Sequence, residues 1–313
     1  ASDVYKRQIV NNADMKSYGF EIELSWRDRI GEVDYGVKFN LADAQQKVVK
    51  YPNTTNAFSD WYAGKMSGEI WGYTSLGIAK TDEEMKEHLA SLPNGGQNQL
   101  GNKWGAGDIM YADINGDGKV DGGKGTLADP GDQRIIGNST PRYNFGLVLD
   151  ASYKGFDVSI FFQGVGKRDY APIVGTNGAV FWGAVNNIWQ SMAMEEHFDY
   201  FRPEGHPMGA NLNGYYPRPD FTSNKNHQVQ TRYLQDASYI RLKNLQIGYT
   251  LPKQWINKLH INRCRVYVSG DNLWTGTSLA SMFDPETLAA GDWGSGKTYP
   301  LSKVISFGLN VNF

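Results

Sequence analysis

The carboxy-terminal segment of the chain alternates apolar and polar residues with a period of two. Between residues 299 and 313 the apolar side chains are Ile305, Phe307, Leu309, Val311 and Phe313, separated by small or polar residues. Successive side chains of a β-strand point to opposite faces, so the segment is predicted to be a strand with one apolar face. A tilted strand of about ten residues crosses a bilayer, and this one ends on an aromatic residue in the apolar phase. We therefore predict a strand of a transmembrane β-barrel.

The same alternation recurs in six further segments. They cover residues 20–26, 33–41, 143–153, 156–164, 239–251 and 263–271. Short turns at 28–31 and 154–155 join the first two pairs into hairpins, and an eighth strand is expected near 169–174. The pattern predicts an all-β fold, namely an antiparallel transmembrane β-barrel whose strands form an open part of a larger wall.

Long connections separate these hairpins. Segments 50–112 and 169–237 exceed the usual length of structureless loops in a compact domain. Short turns on one side and long loops on the other are typical of outer-membrane barrels. Within the first connection, Thr81 followed by Glu84 forms a capping box, which predicts a helix over 81–92.

Composition narrows the class of protein. The 313 residues carry a net charge of −2, so bulk charge does not indicate nucleic acid as a partner. Mean hydropathy is −0.50 and no run of 18 apolar residues occurs, which excludes a helical membrane protein. Residues 1–11 contain no signal peptide and are expected to be a scar or a frayed strand. We expect residues 12–313 to be part of a longer exported protein.

An acidic segment resembles the first part of an EF-hand calcium loop. Its oxygen ligands would be the side chains of Asp113, Asn115, Asp117 and Asp121 and the backbone carbonyl of Lys119. Position 12 of such a loop should be a carboxylate, but Lys124 stands there. The glycine-rich stretch 122–131 could loop out and let Asp132 close the site. We predict a structural Ca²⁺ ion here, and a metal-free acidic turn is the alternative.

Signals for catalysis are weak. Residues 291–298 match the phosphate-loop pattern G-x-x-x-x-G-K-[ST], but Tyr299 and Pro300 follow it instead of a helix. A phosphate site needs that helix, so a flexible loop is the favoured interpretation. The hydrolase patterns G-x-S-x-G and H-E-x-x-H do not occur in the sequence. We predict that the protein is not an enzyme.

Aromatic residues are concentrated in the long connections. The candidates for substrate contact are Trp71, Tyr73, Trp104, Trp182 and Trp189. Flat apolar rings can support sugar rings or peptide side chains. The alternative is that these rings pack the loops against one another or form an aromatic belt at the membrane interface, and it is favoured for any single ring.

Several blocks, taken together, resemble one known family. They lie at residues 71–73, 107–109, 113–121, 132–137, 238–244, 248–252, 269–274, 283–286 and 307–313. In this order and spacing, the chain from about residue 12 onward resembles the SusC/RagA-like TonB-linked outer-membrane proteins of Bacteroidota. In that family the closing aspartate follows the acidic loop directly, so the resemblance implies an insertion before Asp132.

The resemblance also implies a function. Residues 12–313 would be the carboxy-terminal part of a TonB-dependent receptor barrel of about 22 strands, with the amino-terminal plug domain absent. A SusD-like lipoprotein would act as a lid over the long loops. The whole protein would import oligosaccharides or peptides through the outer membrane, driven by the TonB complex, as in glycan uptake. The alternative from the residues is a secreted soluble β-sandwich that binds carbohydrate.

Overall fold

Seven long strands form a single antiparallel sheet. The computed structural model describes residues 12–172, 179–185, 193–221, 224–288 and 298–313. The strands of the main sheet are β1 (Asp14–Ile30), β2 (Val33–Lys50), β7 (Arg142–Tyr153), β8 (Phe156–Lys167), β11 (Tyr239–Thr250), β12 (Arg263–Thr277) and β13 (Val304–Asn312). They lie side by side in chain order, each antiparallel to its neighbour. This confirms the seven strands predicted from the alternation.

The predicted eighth strand is present in part and lies outside the main sheet. Strand β9 is only Asp169–Tyr170, and it pairs with β10 (Gln235–Asp236) outside the main sheet. Residues 173 and 174 lie outside the described part of the chain. Asp169 turns into the loops, where its carboxylate accepts a hydrogen bond from the Asn138 backbone amide at 2.8 Å.

Connections on the two sides of the sheet differ in length, as predicted. β1 and β2 are joined at Gly31 and Glu32, and β7 and β8 at Lys154 and Gly155. Residues 251–262 join β11 to β12 through α3 (Lys253–Ile256) and the 3₁₀ turn Asn257–Leu259. The long connections, 51–141, 168–238 and 278–303, all leave from the other side.

The long connections contain small sheets and short helices. Strand β3 (Glu69–Gly72) pairs with β6 (Arg134–Asn138), and β4 (Ser75–Ile78) pairs with β5 (Ile109–Tyr111). The helices are α1 (Asp82–Ala90) and α2 (Ala179–Trp182), with 3₁₀ turns at Gly183–Val185, Glu195–Phe198 and Thr231–Tyr233. No helix in the described ranges is both long and apolar enough to span a membrane.

Helix α1 begins as its sequence predicts. The Thr81 hydroxyl accepts a hydrogen bond from the Glu84 amide at 3.1 Å, which satisfies one of the free amides of the first turn. The Glu84 carboxylate accepts instead from the Lys80 amide at 2.6 Å, one residue before the cap. The bond from Glu84 to the Thr81 hydroxyl is therefore the predicted one. The return bond of the Glu84 carboxylate goes to Lys80 and not, as a capping box requires, to Thr81.

The main sheet is open within the described residues. β1 and β13 each have a single neighbour, so the strands do not form a closed barrel on their own. A β-sandwich would require a second sheet against the apolar face. The other sheets of the described chain have two short strands each and belong to the long connections, so the alternative of a β-sandwich does not fit this architecture.

Candidate functional site

One face of the main sheet is apolar from edge to edge. The strand register places Leu24, Phe39, Leu147, Phe162, Leu242 and Trp274 in one row across six strands. The seventh strand continues this face with Ile305, Phe307 and Leu309, of which Phe307 is 85% exposed. Soluble proteins rarely leave an apolar surface of this extent uncovered. The face is therefore built to contact lipid or another apolar partner.

The opposite face carries polar and charged side chains that bond across strands. Arg265 donates through Nε to the Asp157 carboxylate at 3.0 Å and through Nη2 to Gln246 Oε1 at 3.0 Å. Asn244 donates to Asp271 at 2.7 Å, and neighbouring strands repeat this kind of pairing. Such a surface suits contact with water. The sheet thus has one apolar face and one polar face.

The long connections share one core, which we call the loop core. Its members come from all three connections and are buried: Tyr73, Leu92, Ile109, Tyr111, Val120, Tyr170, Phe181, Trp182, Tyr216, Tyr233, Ala237, Leu279, Phe283 and Leu288. Phe181 lies at the centre, with ring centroids 5.4 Å from Tyr216, 5.9 Å from Tyr233 and 6.3 Å from Phe283. The loops therefore form a folded layer and do not extend separately.

A buried carboxylate connects two parts of this layer. Both oxygens of Asp108 accept hydrogen bonds from Arg218, at 2.8 Å and 2.6 Å, and Oδ2 lies 2.9 Å from Lys225 Nζ. The Asn226 amide and the Gly105 backbone amide also donate to it, each at 2.9 Å. Asp108 is fully buried. This role could not be predicted from the sequence, because the side chains that donate to Asp108 are 110 to 118 residues away along the chain.

Asp132 lies against the acidic loop and bonds to its backbone amides, while its role as a calcium ligand stays a prediction. Asp132 Oδ1 accepts from the Ile114 amide at 2.7 Å, and Oδ2 accepts from the Asp121 amide at 2.8 Å. Gly131 makes this approach possible, since its φ is +57° and a Cβ there would lie 2.3 Å from the Asp121 carbonyl oxygen. Burial raises the pKa of the Asp132 carboxyl. Asp132 therefore closes the segment through backbone amides.

The other oxygens of the loop are also engaged. Asp113 accepts the amides of Gly116 and Gly118, at 2.7 Å and 2.8 Å. Asn115 accepts from the Asp117 amide and donates to the Asp117 carboxylate, and that carboxylate also accepts from the Lys119 amide.

The Lys119 side chain forms an ion pair with the Asp121 carboxylate. Its ammonium lies 2.5 Å from the Asp121 carboxylate, and this contact lowers the pKa of the Asp121 carboxyl. Within the described ranges no three acidic, histidine or cysteine side chains converge as a metal site would require. This arrangement does not fit an ion without movement of side chains, and calcium binding stays a prediction.

The aromatic candidates occupy different environments. Tyr73 and Trp182 are 5% and 3% exposed and belong to the loop core, so neither presents a free ring face. Trp71 is partly buried and stacks on Phe58 with centroids 4.5 Å apart. Trp104 is partly buried, with Lys225 Nζ 5.0 Å from its ring centroid. Trp189 lies outside the described residues, as do 291–297 of the phosphate-loop match and residues 1–11.

The chain is similar in sequence to known receptor proteins. No protein-family model matches it. It is 27% identical over 336 residues to TonB-dependent receptor P3 of Formosa agariphila, and the alignment covers 98% of this chain and 29% of the relative. TonB-dependent receptor P39 of the same organism is 23% identical over 352 residues, and this alignment covers 97% of this chain and 31% of that receptor. The chain is similar to these TonB-dependent receptors along nearly its whole length.

Solved structures agree with this relationship at the level of the fold. The RagAB peptide transporter structure matches with a TM-score of 0.66 at 22% identity, covering 97% of this chain and 30% of that one. The RagAB peptide importer in its closed-closed state matches with a TM-score of 0.64 at 21% identity. The chain thus spans about three tenths of the length of the two receptors and of the RagAB chain. None of these relatives is described as an enzyme, in keeping with the prediction that the chain is not one.

Proposed function

We propose that this chain forms wall strands and outer loops of a TonB-dependent transporter in the outer membrane of a Gram-negative bacterium. The observation that carries the proposal is the continuous apolar face of seven strands opposite a face of paired polar side chains. Lipid outside and water inside a barrel require this division. Further strands beyond β1 and β13 would complete the barrel, because a spanning sheet cannot leave its edges unpaired in lipid.

The proposed substrates are oligosaccharides or peptides. Peptides have the more direct support, because the RagAB relatives are described as a peptide transporter and a peptide importer. Substrate would bind at the loop layer and pass through the polar interior, with energy supplied through the TonB complex. A SusD-like lipoprotein would sit over the loop layer, whose single core gives a partner one continuous surface.

Uptake experiments test this proposal. The gene for the whole receptor is deleted in its host, and growth is measured on peptides or on oligosaccharides as the limiting nutrient. We expect the deletion strain to lose growth either on peptides or on oligosaccharides. Returning the receptor gene should restore this growth in cells that have TonB and should not restore it in cells that lack TonB. Co-purification from solubilised membranes tests for the lipoprotein. Undiminished growth of the deletion strain on every peptide and oligosaccharide supplied would contradict transport.

We also propose that the acidic loop binds Ca²⁺ as a structural ion. Calcium prefers oxygen ligands. The acidic loop offers side-chain oxygens from Asp113, Asn115, Asp117 and Asp121, and Asp132 adds a further carboxylate. In the structure these oxygens bind amides and one ammonium, so calcium binding would require the Lys119 side chain to leave Asp121.

A further inference from the structure

Two lysines lie opposite each other at the margin of the apolar face. The register pairs Lys16 of β1 with Lys47 of β2, and both residues are exposed. Lys16 is on the apolar face because β1 alternates without interruption from there through Tyr18 and Phe20. Directly opposite residues on one face of an antiparallel pair have Cβ atoms about 5 Å apart. The two ammonium groups can therefore reach the same ligand.

This pair of lysines has no acidic counterpart in the part of the chain that the structure describes. No carboxylate there lies within ion-pair distance of either ammonium group. Asp14, the nearest acidic residue along β1, is opposite Lys50 in the register. Arg142, a cation at the same end of the sheet, is paired with Asp43. Like charges directly opposite each other destabilise a sheet, and an anion from outside the described chain would offset their repulsion.

The position of the pair along the strand matches the headgroup level of a bilayer. On the apolar face of β1 the next charged residue after Lys16 is Asp28, twelve positions further on. A strand rises about 3.3 Å per residue and tilts by about 40° in such barrels, so this stretch covers about 30 Å across the bilayer. The hydrocarbon core is about 30 Å thick as well. Charged groups at both ends of the stretch therefore lie where the headgroups begin.

The lysines are at the end of the sheet from which the long connections leave. The short turn at Gly31 and Glu32 follows Asp28, whereas Lys47 lies three residues before the end of β2 and the start of the first long connection. In outer-membrane barrels the longer loops are extracellular. The pair would therefore face the outer leaflet.

We propose that Lys16 and Lys47 bind the phosphate of an acylated outer-leaflet lipid, with its acyl chains lying along the apolar face. A phosphate carries up to about two negative charges and three strong acceptor oxygens, enough for both ammonium groups. Tyr18 and Phe20, which are 44% and 47% exposed, continue from Lys16 along the same face and would contact the chains. This site depends on the proposed location in the outer membrane and does not depend on transport.

Lipids that differ only in their phosphates test this site. The whole receptor is purified in detergent and delipidated, and it is titrated with lipid A, with dephosphorylated lipid A and with inorganic phosphate, followed by native mass spectrometry. We expect the dephosphorylated lipid to bind about 25-fold more weakly than lipid A, because each lysine at an anionic headgroup contributes about a factor of five. Equal binding of the two lipids, or binding of neither, would overturn the proposal. Displacement of lipid A by micromolar inorganic phosphate would indicate a free-phosphate site and would also overturn it.

Substitutions assign the phosphate contact to these two lysines. Lys16→Gln and Lys47→Gln should each weaken binding of lipid A about fivefold and leave binding of the dephosphorylated lipid unchanged. Lys47→Arg keeps the charge and should bind lipid A as the parent does. Lys38→Gln is the matched control, because Lys38 is an exposed lysine of β2 on the opposite face and its loss should have no effect.

Failure of this site and failure of the proposed function give different results. Absence of the receptor from the outer-membrane fraction would refute the proposed function. If the receptor is in that fraction and the double variant with Lys16→Gln and Lys47→Gln assembles there but binds lipid A as tightly as the parent, only the lysine site is wrong.

Discussion

Lys225 and Asp108 form a buried ion pair between loop segments that are 117 residues apart in sequence. The ammonium and the carboxylate are 2.9 Å apart, and the two side chains are 1% and 0% exposed. Arg218 adds a second cation to the same carboxylate. Lys225 Nζ also lies 5.0 Å from the centroid of the Trp104 ring. The pair therefore joins the first long connection to the second.

We expect Asp108→Asn to destabilise the loop layer by about 3–5 kcal/mol. The change removes the charge that two cations share, and breaking a buried ion pair from one side is costly. Thermal unfolding and limited proteolysis of residues 100–230 measure the loss. Glu32→Gln is the control, because the Glu32–Lys154 pair is about 60% exposed and should contribute less than about 1 kcal/mol. A similar loss for both variants would contradict this account.

A charge on the apolar face should block membrane assembly. Leu309 is 65% exposed on that face, and Leu309→Arg is expected to cost about 2–4 kcal/mol near the middle of a bilayer. Assembly of the whole receptor is followed by membrane fractionation and by the mobility of unheated samples on gels. Ser306→Arg places the same charge on the polar face of the same strand and should assemble normally. Unimpaired assembly of Leu309→Arg would refute the lipid-facing assignment.

Calcium binding should respond to the Lys119 side chain. The ammonium competes with an ion for Asp121, so Lys119→Met should strengthen Ca²⁺ binding, while the backbone carbonyl of residue 119 stays available. Titration calorimetry and the shift of the unfolding midpoint with added Ca²⁺ measure the effect. Lys124→Met is the matched control, since it removes an exposed lysine from the neighbouring glycine-rich stretch. Absence of binding in both the parent chain and Lys119→Met would exclude the ion.

Acid should weaken the loop layer through His227. Burial lowers the pKa of His227 from 6.5 to about 4, and Asp220 opposes this only partly. Between these values the unfolded chain takes up a proton that the folded chain does not, so the free energy of unfolding falls as the pH falls. From pH 6.5 to pH 5 the loss is about 2 kcal/mol.

Comparison of the parent chain with His227→Phe isolates this contribution. Unfolding is measured for both at pH 7.5 and at pH 5. The variant should lose about 2 kcal/mol less on acidification, because it has no imidazole to protonate. Identical pH dependence of the two proteins would show that His227 is not buried in neutral form.

The sheet could be predicted from the sequence because the alternation of apolar and polar residues within each strand defines its two faces. Alternation located all seven strands, although β1 extends from Asp14 to Ile30, well beyond the predicted 20–26. One detail could not be derived this way. Leu242 and Leu245 lie on the same face although they are three residues apart, because the register shifts at Lys243. A strict period of two places them on opposite faces.

The loop layer was much less predictable. The Thr81 cap of α1 follows from a short-range pattern, and the structure shows it. Asp132 also lies against the acidic loop, where it accepts backbone amides. Tyr73 and Trp182 are buried through contacts between separate connections. The side chains that donate to Asp108 also come from a different connection. Such contacts leave no periodic signal in the residues themselves, so they become visible only when the chain is folded.

The loop core also constrains how proteins of this kind can diverge. Loops usually accept insertions and substitutions independently, but here three connections supply rings to a single interior around Phe181. A change of volume in one connection must be matched in another. Variation is therefore expected to accumulate at the exposed tips, such as residues 123–128 and 204–209, where new specificities can arise without disturbing the shared interior.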